Sequence, residues 1–237
     1  MEKKTGIGKR LLSMLLAAAV MVTAQGMPAF AETGSAGAWN PTYDADSDTT
    51  AWHTVSFGSY PQTEVAEDEL TEEITQAIYD GAGDAWVDGV KYRRISKNDT
   101  DNSDYFGTEP YRYFKWEKIN WHVLHEDENG ILTLMAGQGL DCKKYNEENN
   151  AVSWGDSSIR EWLNQAFYNT AFNSSEQGRI QESAGDKVCL LSDEQAVNIE
   201  YGFSGDSTQN SYSRRRQASA YANARGAFAD AQSGYEG

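Results

Sequence analysis

The middle of the chain contains a β-hairpin pattern, INWHVLHEDENGILTLMA. Apolar side chains fall at every second position of its first half, at Ile119, Trp121 and Val123. The pair Asn129-Gly130 then separates this half from a second apolar run, and Asn-Gly strongly favours a tight hairpin turn. The chain therefore has to contain antiparallel strands, which excludes an all-helical fold.

Two histidines, His122 and His125, lie in this hairpin beside a run of acids, so a metal site has to be considered. Positions i and i+3 of a regular strand point to opposite faces of the sheet. The third histidine, His53, is distant in sequence, and no cluster of Cys and His has the spacing of a zinc site. The sequence therefore predicts no metal site in the hairpin.

A second strong pattern, SSIREWLNQAFYNTAF, predicts an amphipathic helix. Ser158 and Glu161 form a Ser-x-x-Glu capping box at its start. Two further boxes predict a short turn at 174–177 and a helix that starts at 192–195 and runs through Tyr201. Apolar spacing predicts a helix over 70–78 that stops at Gly81. Short strands are predicted in SFGSYPQTE and KVCLL, and a hairpin is predicted around Asp88-Gly89. These elements predict an α+β fold, in which a mixed or antiparallel sheet is flanked by amphipathic helices.

The first 31 residues have the order of a secretory signal peptide. Basic residues precede an apolar run from Leu11 to Ala24, and small residues around Ala31 form a cleavage site. The uninterrupted apolar run is shorter than the roughly 18 residues that a membrane-spanning helix needs. We therefore predict an exported protein with a signal peptide at 1–31, a flexible linker at 32–50, a single domain at 51–237, and no membrane span after processing.

The chain is strongly acidic, with a formal charge of −16. Residues 1–31 carry four basic groups and one acid, so their removal lowers the charge to −19. A surface of this charge repels the phosphates of nucleic acids and anionic lipids. Cys142 and Cys189 can form a disulfide after export, but Cys189 lies in an apolar run where a small buried residue is equally expected.

No motif for a catalytic nucleophile, a phosphate loop or a zinc protease occurs in the sequence. A glycosidase needs a pair of carboxylates. Because the sequence contains 36 acidic residues, no particular pair can be identified from it. The polar loop KNDTDNSDYFG carries Asp99, Asp101 and Asp104. Their oxygens suit a hard cation such as calcium, so these three residues are the candidate metal ligands, although a solvated loop accounts for them better.

Four motifs resemble, in this order along the chain, an uncharacterised domain family of secreted and surface proteins of Gram-positive gut bacteria. They are SFGSYPQTE, YFKWEKINWHVLHEDENGILTLMAGQGLDCKKYN, SSIREWLNQAFYNTAF and DKVCLLSDEQA. The resemblance implies a domain of unknown function that is distantly similar to the formylglycine-generating-enzyme-like branch of C-type-lectin-like folds. Because members continue past the last helix with further strands, it also implies a domain truncated at its C-terminus.

The resemblance brings no catalytic or calcium-binding residue to this chain. Sugar-binding C-type lectins use Glu-Pro-Asn and Trp-Asn-Asp, whereas here Tyr111 follows Glu109-Pro110 and Gly155 follows Trp154. The expected function is a secreted or surface, non-catalytic binding module, whose partner is a glycan or a surface protein. The alternatives are an extracellular carbohydrate-active enzyme with paired carboxylates and a structural spacer of a larger surface protein. The candidate ligand-binding residues are Tyr105, Phe106, Glu109, Tyr111, Trp154 and Asp156.

Overall fold

The structure is a computed structural model that describes the backbone of residues 13–15 and all atoms of residues 18–23, 38–205 and 211–227. Eight strands form one antiparallel sheet, and two further pairs of strands lie outside it. Short helices pack around the sheet, which confirms the predicted α+β class.

The strands are β1 (Ser13–Leu15), β2 (Ala19–Thr23), β3 (Thr42–Asp44), β4 (Thr49–Ala51), β5 (Thr54–Glu64), β6 (Asp84–Val87), β7 (Val90–Ser96), β8 (Tyr111–Glu126), β9 (Ile131–Ala136), β10 (Cys142–Lys144), β11 (Ile180–Gln181) and β12 (Val188–Cys189). The helices are α1 (Glu72–Thr75), α2 (Ser158–Trp162), α3 (Tyr168–Ala171), α4 (Ser174–Gln177) and α5 (Ala220–Ala224), with a π-helical segment, Leu163–Phe167, between α2 and α3.

The 16-residue strand β8 organises the large sheet. Lys115 pairs with both β5 and β7, and Trp121 pairs with both β5 and β9. Since a strand has only two edges, β5 covers one edge of β8, while β7 and β9 share the other edge end to end. The early part of β8 therefore lies against β7, and its late part lies against β9.

The predicted hairpin is confirmed, because β8 and β9 pair and turn at Gly130, whose φ is 73°. The pairing is not regular throughout, however. A β-bulge shifts the register between Val123 and His125. A bulge interrupts the alternation of side chains, so the faces of His122 and His125 do not follow from their spacing.

Trp121 lies at the centre of the main core and has no exposed surface. Its indole Nε1 donates a hydrogen bond of 2.6 Å to the carbonyl of Phe57 on β5, and its ring stacks on Phe172 with 6.1 Å between centroids. Ile159 and Phe167, from the predicted apolar face of the long helix, are buried in the same core. The amphipathic pattern therefore identified the face that covers the sheet.

The helix caps differ from the prediction by one residue. Ser157, which still has extended backbone angles, caps α2 by accepting from the Arg160 N–H, whereas Ser158 is already helical. In the same way, the capping box of α4 is formed by Asn173 and Glu176. An N-cap has to precede the first helical residue, so several adjacent Ser and Asn residues leave its position open in the sequence.

Two predicted helices are shorter than expected. The helix predicted over 70–78 is only the single turn α1, where Tyr79 donates to the carbonyl of Ile74, and Ile78 is 96% exposed rather than buried. Ser192 and Gln195 do form their reciprocal hydrogen bonds. They open 3-10 turns rather than an α-helix.

Residues 38–51 pack against the domain although they lie mostly within the predicted linker. The hairpin β3–β4 includes Asp48, which accepts hydrogen bonds from Ser211 and the Tyr212 N–H. Asn40 accepts a 2.7 Å hydrogen bond from the Glu126 N–H. The domain boundaries themselves stay a prediction, and no disulfide joins Cys142 to Cys189.

Strand β2 comes from the apolar run of the predicted signal peptide. Four of its residues and neighbours, Ala18, Ala19, Val20 and Val22, are at most 3% exposed. The strand lies between β9 on one side and β11 and β12 on the other. Among the described residues, no helix is long and apolar enough to cross a membrane.

Gly58 on β5 lies where the strand passes closest to the C-terminal end of α3. Its φ is 71°, and a Cβ atom there would lie 2.7 Å from the Phe172 ring and 2.9 Å from the Ala171 carbonyl oxygen. Gly130 has nearly the same φ, 73°, but nothing lies within 4 Å of its Cβ position. Alanine substitutions at these two glycines therefore distinguish the free-energy cost of the backbone angle from the cost of the close approach.

We expect Gly130→Ala to lower the free energy of unfolding by about 1 kcal/mol, the cost of a left-handed backbone angle for a residue with a Cβ. Gly58→Ala should cost a further 1 to 3 kcal/mol, roughly the range for overpacking. Urea titration followed by tryptophan fluorescence measures both values. Equal losses in the two variants would contradict the close packing of β5 on α3.

Candidate functional site

A cleft of about 510 Å³ lies where the early part of β8 meets the end of β5 and the loop before β8. We call it the Tyr111 cleft. Pairing between β5 and β8 fixes its position, since Glu64 pairs with Phe114 and the Val65 N–H donates to the Tyr113 carbonyl. It is lined by Glu64, Val65, Glu67, Leu70, Thr75, Phe106, Gly107, Thr108, Glu109, Pro110, Tyr111, Arg112 and Tyr113.

The walls of the Tyr111 cleft include three buried apolar side chains. Phe106 has no exposed surface, and Val65 and Tyr113 are less than a tenth exposed. Val65 and Tyr113 belong to a small separate core with Ile74 and Tyr92. The cleft is therefore a shallow opening over packed side chains rather than a gap in the fold.

A carboxylate and a guanidinium form the polar part of the cleft. Glu64 Oε1 lies 3.2 Å from Arg112 Nη1, and Glu64 Oε2 accepts a 2.6 Å hydrogen bond from the Tyr105 hydroxyl. Burial and then this bond raise the pKa of Tyr105 above its usual value. Arg112 Nη2 donates to the Phe106 carbonyl, whereas the buried Arg112 Nε has no partner. The pair thus offers hydrogen-bonding groups beside an apolar wall.

Tyr111 provides an aromatic surface at the rim, where it is 40% exposed. The Arg94 guanidinium lies 4.6 Å from the centre of the Tyr111 ring and 4.4 Å from that of Tyr79. This stacking holds the Tyr111 ring in place. Glu67 and Glu109 add two exposed carboxylates to the rim, so the cleft is acidic apart from Arg112.

The structure brings four of the six predicted ligand-binding residues together. Phe106, Glu109 and Tyr111 line the cleft, and Tyr105 binds its Glu64. Glu64 and Arg112 could not be selected from the sequence, because their contact depends on how β5 pairs with β8. The position of Arg112 directly after Tyr111 was the only local signal.

Trp154 and Asp156 do not line this cleft. The Trp154 indole donates a 2.8 Å hydrogen bond to Asp186, which also accepts from Arg160 Nε at 2.6 Å. Asp156 accepts from Ser153 in the preceding turn. Trp154 therefore ties the start of α2 to the segment before β12, which is a structural role.

Two of the three predicted calcium ligands line a second, smaller cleft of about 200 Å³. Asp99 and Asp101 line it together with Lys143, Lys144 and Arg225, whereas Asp104 does not. Cationic side chains thus occupy the place beside these carboxylates. In the described part of the chain, no three side chains of His, Cys, Asp or Glu gather as a metal site would require. The calcium site stays a prediction without geometric support.

A buried network of charged residues was not expected from the sequence. The Tyr60 hydroxyl donates to Asp141 at 2.7 Å, and burial raises the pKa of Asp141 although Arg225 and Tyr60 oppose this effect. Around Asp84, burial alone would raise the pKa, but hydrogen bonds from Arg93 hold it below its usual value. Each carboxylate has a cationic or hydroxyl partner, so the network stabilises the fold and offers no free acid.

Comparison with known families covers another part of the chain. Residues 129–198 match the model of a domain of unknown function, DUF6273. No curated protein and no solved structure matches the chain. The DUF6273 match runs from the hairpin turn through β9, α2 and β12, and it excludes every residue of the Tyr111 cleft. It therefore bears on the helix and hairpin motifs and carries no information on the cleft.

The two hairpin histidines contact aromatic rings that pack on one small core. His122 lies 5.0 Å from the Trp52 ring and His125 lies 6.1 Å from the Tyr201 ring, while Trp52 and Tyr201 both pack on the core around Leu124. Because of the bulge, His122 and His125 do not have to point to opposite faces of the sheet, and the two aromatic rings that they contact lie beside the same core cluster. Nδ1 of each histidine is buried without a hydrogen-bond partner.

Burial and the nearby charge of Arg216 lower the pKa of His122 to about 4. An unfolded histidine has a pKa of about 6.5, so between these values the unfolded chain binds a proton that the folded chain does not. Stability should therefore fall as the pH falls from 6.5 towards 4. We expect His122→Gln to remove about 1 to 2 kcal/mol of the stability difference between pH 7 and pH 5.

Urea unfolding of wild type and His122→Gln at pH 7 and pH 5 tests this expectation. The carboxylates and the other two histidines are present in both proteins, so their contributions cancel in the comparison. His53→Gln, which removes a histidine packed against Trp39, serves as the control. The same pH dependence in wild type and His122→Gln would show that His122 is not protonated on unfolding in this range.

Proposed function

We propose that this chain is a non-catalytic binding module that acts outside the cell and takes a glycan in the Tyr111 cleft. The observation that carries the proposal is the Glu64–Arg112 pair beside the partly exposed ring of Tyr111. A sugar has an apolar C–H face that packs on an aromatic ring and hydroxyl groups that both donate and accept hydrogen bonds. Carboxylates supply the acceptors and a guanidinium supplies the donors.

The dimensions and lining of the cleft support a small-molecule or oligosaccharide ligand. Its volume of about 510 Å³ falls within the range of roughly 300 to 1,000 Å³ for ligand sites. Such sites combine apolar walls with a few fixed polar groups. Here Phe106 and Tyr113 supply the walls, and the Tyr105 hydroxyl holds Glu64 in place.

The state of Glu64 favours binding over hydrolysis. A glycosidase needs one carboxylate as an acid and a second as a base or nucleophile. Both oxygens of Glu64 already have partners, Arg112 and Tyr105. A carboxylate held in this way is suited to positioning a ligand hydroxyl, and export of the protein, which the leader pattern predicts, would bring the cleft to extracellular glycans.

We expect Tyr111→Ala to weaken glycan binding about tenfold or more, as the loss of an aromatic anchor does at other interfaces. A screen against peptidoglycan fragments and host glycans would find a ligand, and calorimetry would compare the variants. Trp86→Ala is the matched control, because Trp86 is 70% exposed and lies outside the cleft. An equal loss in both variants would contradict the assignment of the cleft.

The same screen separates binding from catalysis. We expect bound glycans to be recovered intact after long incubation with the wild-type protein, as mass spectrometry of the glycans would show. Hydrolysis that Glu64→Gln or Glu109→Gln abolishes would overturn the non-catalytic proposal in favour of paired carboxylates.

A further inference from the structure

Arg216 is a partly buried cation for which the described residues supply no acidic partner. Burial lowers the pKa of its guanidinium to about 10, and no carboxylate offsets this effect. The group therefore still carries its charge at neutral pH. A charge that is withdrawn from water without a partner costs free energy of folding.

Most other partly buried arginines with assigned contacts have such a partner. The ion pairs join Arg93 to Asp84, Arg112 to Glu64, Arg160 to Asp186 and Arg225 to Asp141. Arg94 pairs with no carboxylate, but it stacks between two tyrosine rings and has no buried nitrogen without a hydrogen-bond partner. Arg216 is thus an exception that needs a physical reason.

The exception concerns one edge of the Arg216 guanidinium. Its Nη1 donates to the carbonyl of Ser213 at 3.1 Å and to that of Arg215 at 2.6 Å. Nε and Nη2, which together form another edge, are buried and donate to no acceptor. Two N–H groups side by side match the two oxygens of a carboxylate or a phosphate. The edge therefore lacks a planar pair of acceptors.

Two neighbouring rings hold the guanidinium in place. Arg216 Cζ lies 4.7 Å from the centre of the Trp52 ring, and the His122 ring lies 5.0 Å from the same ring. Nδ1 of His122 is also buried without a hydrogen-bond partner. We call these three residues the Arg216 cluster. Its unpartnered nitrogen atoms belong to two side chains that lie on one aromatic ring.

The Arg216 cluster lies at the surface rather than in the main core. All three of its side chains are partly exposed. Trp52 packs on the small core around Leu124. An oxyanion therefore reaches the edge by rotation of side chains at the surface and does not have to enter the main core.

The carboxylate of the nearby β3–β4 hairpin is already engaged. Asp48 contacts the loop before Arg216, but its oxygens accept hydrogen bonds from the Tyr43 and Ser211 hydroxyls and from the Tyr212 N–H. It forms no ion pair with Arg216. A ligand has to bring the acceptors that the described residues do not supply.

We propose that the Arg216 cluster binds an oxyanion, a carboxylate or phosphate group of a ligand, whose two oxygens accept from Nε and Nη2 of Arg216. The planar fork of the guanidinium favours such a group over a spherical anion. None of the three residues lines the Tyr111 cleft, so this site is independent of the glycan proposal.

Thermal unfolding of the full chain in phosphate, in acetate and in chloride at equal ionic strength tests the proposal. We expect phosphate or acetate, but not chloride, to raise the Tm of the wild type by about 3 to 6 °C at ten times the Kd. A rise in only one of the two oxyanions supports the site and identifies the ligand group as phosphate or carboxylate.

Phosphate also stabilises proteins generally, because it is excluded from their surfaces, so variants are needed. In chloride, Arg216→Gln should be at least as stable as the wild type, since it removes an unpaired charge. In the oxyanion, only the wild type should gain stability. Lys118→Gln, which removes a charge from a side chain that is 59% exposed, is the matched control and should keep the gain.

A measurement on the wild type alone complements the variants. We expect the NMR signals of the His122 imidazole to shift in a saturable way as phosphate or acetate is added, because a charge enters beside the ring. The signals of His53, which packs on Trp39, should stay unchanged.

Three results would overturn the proposal. The first is a wild type whose Tm and His122 signals respond to neither oxyanion. The second is an equal rise of Tm in wild type and Arg216→Gln, which would show a general salt effect. The third is a clear loss of stability of Arg216→Gln in chloride, which would show that the two carbonyls and Trp52 already compensate the charge.

Discussion

The pairing of β8 with β5 is the constraint on which the rest of the structure depends. Trp121 enforces it, because its buried indole has to donate to a partner and finds the carbonyl of Phe57 on the neighbouring strand. A buried indole N–H without a partner costs about 1 to 3 kcal/mol, so a change of register would be penalised by this group alone. The hydrogen bond thus fixes which residues of the two strands face each other.

That register determines what lies at each end of β8. At its start, it places Glu64 opposite Phe114 and next to Arg112, which creates the polar wall of the Tyr111 cleft. At the other end of β8, β9 extends the sheet and pairs in turn with β2. The Tyr111 cleft and the pairing of β2 with β9 therefore both depend on the same strand, although the residues involved are separate.

Local patterns were sufficient to predict the elements that bury a regular stripe of side chains. The β8–β9 hairpin follows from alternation and from Asn129-Gly130, and the face of α2 follows from the spacing of its apolar residues. The cap at Ser157 was missed by one position, because Ser157 and Ser158 are equally good acceptors and only the backbone angle distinguishes them. The candidate aromatics of the cleft were found because they flank a polar loop, whereas the Glu64–Arg112 contact required the register of two distant strands.

Strand β2 shows where sequence patterns become ambiguous for a physical reason. A signal peptide needs a short apolar run, and a central strand that is covered on both faces needs the same composition. The apolar side chains of residues 18–23 suit a signal peptide and a central strand equally well. The basic residues that precede them are relevant only to export. The pairing partners distinguish the roles, since Val20 and Val22 meet β9, β11 and β12 in one register.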